Sequence, residues 1–234
     1  GEEINLHRLL NTLGWLWAEV GDVERATDFN RRGAERARKR GFPETIANSE
    51  LNLADLSLSS GDLPAAAELL DGVLRLVNDP TVSEWMKWRY STRLFASLGD
   101  LALARGDTAK ALEWAHRCLE IAARTNARKN LVKGWRLRGE IATIRRQWED
   151  AGAALREALT IAQAIHNPTQ LWKTHVAIAR LHAATKGPNA AREGYQKARE
   201  VVDHLMAGLR HPELRASLER AAPIRQVYDL SAPE

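Results

Sequence analysis

The chain has 234 residues, of which 44% are hydrophobic, so it can bury a sizeable core without disulfides or bound metal. Its 34 basic and 30 acidic residues leave a formal net charge of +4, which is too small to indicate a polyanionic partner. The single cysteine, Cys118, excludes an internal disulfide framework and a cysteine-based zinc site.

Helical periodicity predicts five pairs of helices along the chain. Apolar residues recur every three or four positions, as from Leu9 to Val20, and no alternating strand pattern competes. We expect the first helices of the pairs near residues 4–20, 44–60, 81–105, 128–146 and 169–185. We expect the second helices near residues 23–40, 63–77, 108–125, 148–166 and 189–208.

Short Gly-Asp breaks separate the helices of the first three pairs. The glycine can end a helix in the left-handed conformation, and the aspartate can accept the unpaired N–H groups that begin the next helix. These breaks are Gly21-Asp22, Gly61-Asp62 and Gly106-Asp107. Because proline is tolerated in a first turn, it marks further helix starts at Pro43, Pro80, Pro168 and Pro188.

Small residues recur in three columns with a spacing of about 40 residues, which is the range of two-helix repeats. The central column is Ala26, Ala66, Ala111, Ala151 and Ala191. Twelve residues before these alanines stand Gly14, Ala54, Gly99, Gly139 and Ala179. Seven residues after them stand Gly33, Val73, Cys118, Ala158 and Ala198. We interpret the columns as the close crossings within helical hairpins, where larger side chains do not fit between the backbones.

These positions resemble the tetratricopeptide repeat (TPR) in a longer variant, similar to the helical arrays of bacterial signalling and transcription regulators. The resemblance rests on Leu13-Gly14, Trp17, Gly21 and Ala26; on Trp135, Gly139 and Ala151; and on Ala179, Ala191, Tyr195 and Ala198. It implies an all-α, right-handed α-solenoid of about five hairpins. We expect one domain over residues 1–234, with repeats at about 4–41, 43–79, 81–126, 127–166 and 168–208 and a C-terminal capping helix in 209–234.

Signatures of catalysis and cofactor binding are missing from the sequence. There is no G-x-x-x-x-G-K-[ST] loop, no G-x-G-x-x-G, no H-E-x-x-H and no G-x-S-x-G. His175 and His182 share a helical face but have no third metal ligand nearby, and Cys118 falls in a small-residue column. We therefore expect no enzyme activity, no cofactor, no metal site and a buried, inert thiol.

Polar residues on the first helices are the candidate binding surface. On the face opposite the second helices stand Arg8, Asn11, Trp15, Asn48, Asn52, Asp55, Arg89, Arg93, Asp100, Lys133, Arg136, Glu140, Lys173 and Arg180. Asn48 and Asn52 are four apart, so both amides can address one extended backbone, and the flanking arginines can hold a carboxylate. The TPR resemblance implies that such a concave surface binds a peptide or partner protein, within a larger signalling or regulatory protein.

The eight tryptophans divide into three groups, and the pattern leaves the place of Trp85, Trp114 and Trp172 open. We expect Trp17, Trp88, Trp135 and Trp148 to lie in the core, whereas Trp15 lies off the apolar stripe. Trp15 and Asn11 could instead bind a sugar-like small molecule, as in a sensor domain of a bacterial transcription regulator.

Two other interpretations of these polar residues compete with peptide binding. They could be solvated and paired only with their neighbours. A basic surface for nucleic acid is a third function, but Glu35, Glu120 and Glu140 interrupt the basic clusters, so we expect no nucleic-acid partner.

No uncharged stretch approaches the ~20 residues that span a bilayer, so we expect a soluble, cytoplasmic protein without membrane contact.

Overall fold

The computed structural model describes residues 2–232 and the side chains of residues 5–232, and within this range it contains 12 α-helices and no β-strand. Pro233 and Glu234, at the end of the predicted cap, lie outside the described residues. The chain divides into two compact units, a first unit that ends at Ile121 and a second unit that begins at Ala122. The assignment of the whole chain to one domain therefore stays a prediction.

The predicted helix pairs are confirmed in both units. The first unit contains α1 (Glu2–Glu19), α2 (Val23–Arg40), α3 (Pro43–Ser60), α4 (Leu63–Asn78), α5 (Glu84–Ala104) and most of α6 (Thr108–Arg124). The second unit contains α7 (Arg128–Ile144), α8 (Trp148–Ala164), α9 (Pro168–Lys186), α10 (Pro188–Gly208), α11 (Pro212–Arg220) and α12 (Ala222–Ser231). Each of the five predicted repeats contains two of these helices.

The Gly-Asp breaks act as the helix caps that the sequence predicts. Gly21 and Gly61 adopt φ angles of 77° and 79°, in the left-handed region that favours glycine. Asp62 then accepts the backbone N–H of Ala65 at 3.1 Å, so it satisfies one of the unpaired donors at the start of α4. The same cap forms at the two other breaks, from Arg25 to Asp22 at 2.9 Å and from Lys110 to Asp107 at 2.9 Å.

The start of α5 differs from the prediction. The helix begins at Glu84 instead of near residue 81, because the hydroxyl of Ser83 accepts the backbone N–H of Met86 at 3.4 Å and caps it. Pro80 lies in the preceding connection, where its fixed φ is equally compatible. The three other marker prolines do begin helices, at Pro43, Pro168 and Pro188.

The small-residue columns lie where helices cross closely, as the sequence predicts. Ala26, Ala66, Ala111 and Ala151 are fully buried, and Ala191 is 6% exposed. At the α9–α10 crossing, a Cβ added to Gly194 would come within 2.8 Å of the Cβ of Ala179, so the two backbones approach too closely for a larger residue. Cys118 is buried, and its Sγ lies 3.2 Å from the carbonyl oxygen of Thr92.

The C-terminal segment forms two short helices instead of the single predicted capping helix, because Pro212 and Pro223 each fit the first turn of a separate helix. Of these, α12 packs against α10, burying Ile224 and Val227. The hydroxyl of Tyr228 also donates a hydrogen bond to Asp203, and burial together with this carboxylate raises the pKa of Tyr228 to about 12.

Two of the tryptophans predicted to lie in the core are at the surface. Trp88 is 38% exposed because it lies beside the exposed Trp85 on α5, whereas the core-facing residues of this part of α5 are Met86 and Tyr90. Trp148 is 39% exposed and is the first residue of α8. Trp17 and Trp135 are half-buried.

Among the helices of residues 2–232, none is long and apolar enough to cross a membrane.

Candidate functional site

The first helices of the first unit lie side by side, with α1 against α3 and α3 against α5. Nine of the predicted binding residues stand on these helices. The structure brings five of them into one set of hydrogen bonds with three further residues. We call this set the polar network: Asn11, Asn30, Asn48, Ser49, Asn52, Asp55, Arg93 and Ser97.

Asn30 on α2 is the centre of the polar network. Its side chain is fully buried, and its Oδ1 accepts hydrogen bonds from Nδ2 of Asn11 at 3.2 Å and from Nδ2 of Asn52 at 2.8 Å. Its own Nδ2 donates to the carbonyl oxygen of Ala26 at 2.8 Å. One amide group therefore joins α1, α2 and α3, with every polar atom satisfied.

Arg93 extends the network from α3 to α5. Its guanidinium donates to Oδ1 of Asn48 at 3.2 Å and to Oδ2 of Asp55 at 2.9 Å. Asn48 in turn donates to Oδ1 of Asn11 at 2.6 Å, and Ser97 donates to the second oxygen of Asp55 at 2.6 Å. The network thus holds three neighbouring first helices in one register.

This geometry changes the roles expected for two predicted residues. Asn11 is 6% exposed and Asn52 is 2% exposed, because Asn30 from α2 reaches between α1 and α3 and binds both amides. The amide of Asn52 is therefore directed into the helix contact, so a pair of amides from Asn48 and Asn52 does not face an external backbone. Asn48 itself is half-buried.

Sequence reasoning missed Asn30, Ser49 and Ser97. A signal for Asn30 was present, because it stands four residues after the alanine of the central column. The equivalent residues of the other repeats are Leu70, Ala115, Leu155 and Tyr195. A small amide in a column of buried residues must find partners within the protein. Ser49 and Ser97 offer no comparable signal.

Exposed cations and aromatic rings stand on α1 and α5, the two outer first helices that the polar network joins. Arg8 and Arg89 are exposed, and the guanidinium carbon of Arg89 lies 5.4 Å from the ring centroid of Trp85. Trp85 is 45% exposed and Trp15 is 42% exposed. We call Arg8, Trp15, Trp85 and Arg89 the exposed set.

Both arginines of the exposed set affect the pKa of Tyr90. Burial raises the pKa of its phenol, whereas a hydrogen bond with Arg89 and the positive charges of Arg89 and Arg8 oppose this rise. Both cations therefore act on the same phenol. Trp15 is held by a hydrogen bond from its Nε1 to Glu19 at 3.1 Å. Asp100, the remaining predicted residue of α5, is exposed.

Two contacts of the predicted residues of the second unit connect α7 with α9. Arg136 donates to Oε1 of Gln170 at 2.9 Å, and Gln170 is only 2% exposed. Arg180 and Glu140 form an ion pair at 3.9 Å. Lys133 is half-buried, and Lys173 lies with its Nζ 5.5 Å from the ring centroid of Trp172.

The site presents guanidinium groups and indole rings on packed helices. In the described part of the chain, no three His, Cys, Asp or Glu side chains come together as metal ligands. The same residues contain no buried side-chain nitrogen or oxygen without a hydrogen-bond partner. Guanidinium groups and indole rings on a fixed helical support suit recognition of carboxylates and apolar side chains.

Two solved structures share the fold of this chain. A thermophilic TPR protein from Thermus thermophilus is 17% identical, with a TM-score of 0.58 over 92% of this chain and 98% of the other. BtubC (BKLC) from P. vanneervenii is 18% identical, with a TM-score of 0.55 over 92% of this chain and 86% of the other. No protein-family model and no curated protein sequence matches the chain. The chain therefore has the fold of a TPR-like helical repeat protein.

Proposed function

We propose that the chain is a protein-interaction module whose first unit binds a peptide segment of a partner protein across α1, α3 and α5. One observation carries the proposal: the polar network holds these three helices together while the exposed set remains at the surface. A preorganised surface loses little conformational entropy on binding. The TPR-like fold supports this proposal, since it presents successive helices as one extended surface.

The exposed set and the network have different roles in this proposal. Arg8 and Arg89 bind carboxylates of the peptide, and Trp15 and Trp85 cover its apolar side chains. The half-buried Asn48 adds an amide contact to the peptide backbone. The remaining network residues position the surface. The predicted residues of the second unit extend the same kind of contact there, and membership of a larger signalling or regulatory protein stays a prediction.

Selection from a random peptide library displayed on phage tests the proposal, with the full chain as the immobilised target. We expect enriched peptides to contain acidic and apolar residues. In a calorimetric titration with a synthetic copy of one enriched peptide, R8E/R89E should weaken binding by about tenfold or more. W85A should weaken it as well, because it removes the ring on which Arg89 lies.

The matched control is R36E/R124E, which makes the same change of charge at two exposed arginines outside α1, α3 and α5. It should leave the affinity unchanged. If no peptide is enriched, or if enriched peptides bind R8E/R89E as tightly as the parent, the first unit does not bind peptides in this way. Unchanged thermal unfolding of each variant shows that the helices stay folded.

A further inference from the structure

The first helix of the chain presents an apolar face that the other described helices leave partly exposed. Leu6, Leu9, Leu13 and Leu16 follow one another at spacings of three, four and three residues, so they share one side of α1. We call these four residues the leucine seam. Leu9 is 56% exposed, and the three other leucines are half-buried. Contiguous apolar surface of this kind marks interaction sites.

The later first helices bury the positions that α1 exposes. The comparison uses α3, α5 and α9, which each follow another first helix within their unit. Counted from the central-column alanines, the residues equivalent to Leu9 are fully buried, namely Ser49, Leu94 and Thr174. The residues equivalent to Leu16 are at most 8% exposed, namely Leu56, Leu101 and Leu181. The seam therefore stands where a helix of this fold is normally covered.

Contacts of Ser49 show what covers this position in α3. Its Oγ accepts a hydrogen bond from Nδ2 of Asn11 on α1 at 3.1 Å. A Cβ added to Gly33 of α2 would lie 3.4 Å from the same Oγ. The position thus faces both helices of the preceding pair. Among the described residues no helix precedes α1, so the equivalent leucine of α1 has no such cover.

The leucine seam is complementary to a second copy of itself. Its spacing is symmetrical about the centre, so an antiparallel copy places Leu6 opposite Leu16 and Leu9 opposite Leu13. Spacings that alternate between three and four residues are those of the a and d positions along which two helices pair. The seam contains no charged residue, so two copies meet there without repulsion between like charges. The helix dipoles also favour the antiparallel direction.

The last pair of helices in the second unit already has its cover. Asp203 of α10 and Arg38 of α2 occupy the same position relative to their central-column alanines. Arg38 forms an ion pair with Glu50 of α3, and Asp203 accepts a hydrogen bond from Tyr228 of α12. On α10, α12 therefore takes the place that α3 takes on α2. Because α12 fills this place, a second copy cannot stack its α1 there, and the seam of one copy is left to pair with the seam of the other.

We propose that two copies of this chain form a dimer in which their leucine seams pack against each other, with the two α1 helices antiparallel. Such a pair is closed, since it uses the seam of each copy and leaves none for a third. Arg8 and Trp15 of the exposed set also stand on α1, but about a third of a turn away around the helix. Dimer formation and peptide binding therefore use separate surfaces.

Sedimentation equilibrium of the full chain tests the dimer. We expect the parent to associate to a dimer as its concentration rises, and L9E to weaken this association at least tenfold, because it buries a carboxylate against leucine. I144E is the matched control, since Ile144 of α7 is 59% exposed and the charge change is the same. It should dimerise like the parent. A parent that stays monomeric up to about 0.3 mM, or an L9E variant that associates as tightly, would overturn the proposal.

Disulfide formation tests the direction of the two helices. On mild oxidation, a mixture of L9C and L13C should form linked dimers faster than either variant alone, because Leu9 of one copy lies opposite Leu13 of the other. The parent is the control and should not be linked, because its single thiol, Cys118, is fully buried. Equal rates for the mixture and the separate variants would overturn the antiparallel pairing of the seams.

Discussion

The two units use the same close helix crossing but fill it with different chemistry. In the first unit, a Cβ added to Gly14 would lie 2.3 Å from Nδ2 of Asn30. In the second unit, a Cβ added to Gly139 would lie 2.6 Å from Cγ of Leu155. Asn30 and Leu155 occupy equivalent positions of their repeats, and both are buried. A glycine in one helix thus makes room for the same position of the next helix in each unit.

An amide and a leucine at this position have different consequences for the neighbouring helices. Asn30 joins its own helix to α1 and α3 through directional hydrogen bonds, and the neighbouring polar groups depend on it. Leu155 packs in a cluster with Ala142, Ala177 and Leu181, where contacts depend on shape alone. The repeat spacing therefore determines where helices cross, whereas the residue at the crossing determines whether neighbouring repeats are joined by polar or by apolar contacts.

An exchange of the two residues should give the largest effects. Leu155→Asn buries an amide among alanines and leucine, so we expect a loss of about 4 kcal/mol in the free energy of unfolding. Asn30→Leu leaves Nδ2 of Asn52 without its acceptor and leaves Nδ2 of Asn11 with Oγ of Ser49 alone, and we expect a loss of about 3 kcal/mol. Urea denaturation of the full chain measures both.

Leu155→Ala is the control for lost volume, and it should cost less than Leu155→Asn, since it buries no polar group. If Asn30→Leu is as stable as the parent, the polar network contributes nothing to the joining of α1, α2 and α3. If Leu155→Asn is tolerated, the second unit is not held by apolar packing at this crossing, and the comparison between the units fails.

Overpacking should affect both units equally. Ala111 in the first unit and Ala151 in the second are fully buried members of the same column. Because the crossing is close in either unit, we expect Ala111→Leu and Ala151→Leu each to cost about 2 kcal/mol. Denaturation midpoints measure this loss. Ala123→Leu is the control, because Ala123 is an exposed position of α6, where the larger side chain does not overpack a helix crossing. Two very different costs would show that the repeats do not share one register.

How much of this arrangement the sequence predicts depends on the range of the interactions. Helix ends at Gly21 and Gly61 are predictable, because a cap involves residues only a few positions apart. Columns such as Ala26 and Ala111 are predictable because they repeat. The network is different, since Arg93 meets Asp55 only once α3 and α5 are packed, and no local pattern specifies that pair.

The same limit explains the errors among the site residues. The helical period alone predicts Asn52 at the surface, but its exposure depends on Asn30 of another helix. Trp88 has the residue type of a core position, but it lies beside the exposed Trp85, and no neighbouring helix covers this side of α5 as one covers Met86. The period gives the direction of a side chain on its own helix, and only the neighbouring helices decide what covers it.

Charge reversal on a first helix should destabilise the first unit more than the second. The difference in the free energy of unfolding should be smaller than the effects described above. Arg93→Glu places a second carboxylate beside Asp55 and removes two hydrogen bonds, so we expect a loss of about 1 to 2 kcal/mol. Arg136→Glu faces the amide of Gln170, which can rotate and donate its N–H groups, so we expect a loss within about 0.5 kcal/mol. Urea denaturation of both variants tests the difference. Equal losses would contradict the role of Arg93 in the network.

The smallest effect concerns pH and His175 of the second unit. Burial lowers the pKa of His175 from its ordinary value of 6.5, and the charge of Lys197 lowers it further, while Glu200 opposes this. As the pH falls below this ordinary value, the unfolded chain therefore binds more protons than the folded chain. The stability that neutral His175 contributes is complete above the ordinary pKa and is lost as the pH falls through the lowered pKa.

We therefore expect the urea midpoint to fall between about pH 7.5 and about pH 5.5, and H175Q to reduce this fall. H204Q is the matched control, because it makes the same substitution at the exposed His204 of α10. It should leave the pH dependence as it is in the parent. If H175Q and the parent lose stability equally on acidification, the protonation of His175 is not coupled to unfolding, and the apolar packing between α9 and α10 tolerates the charged imidazole.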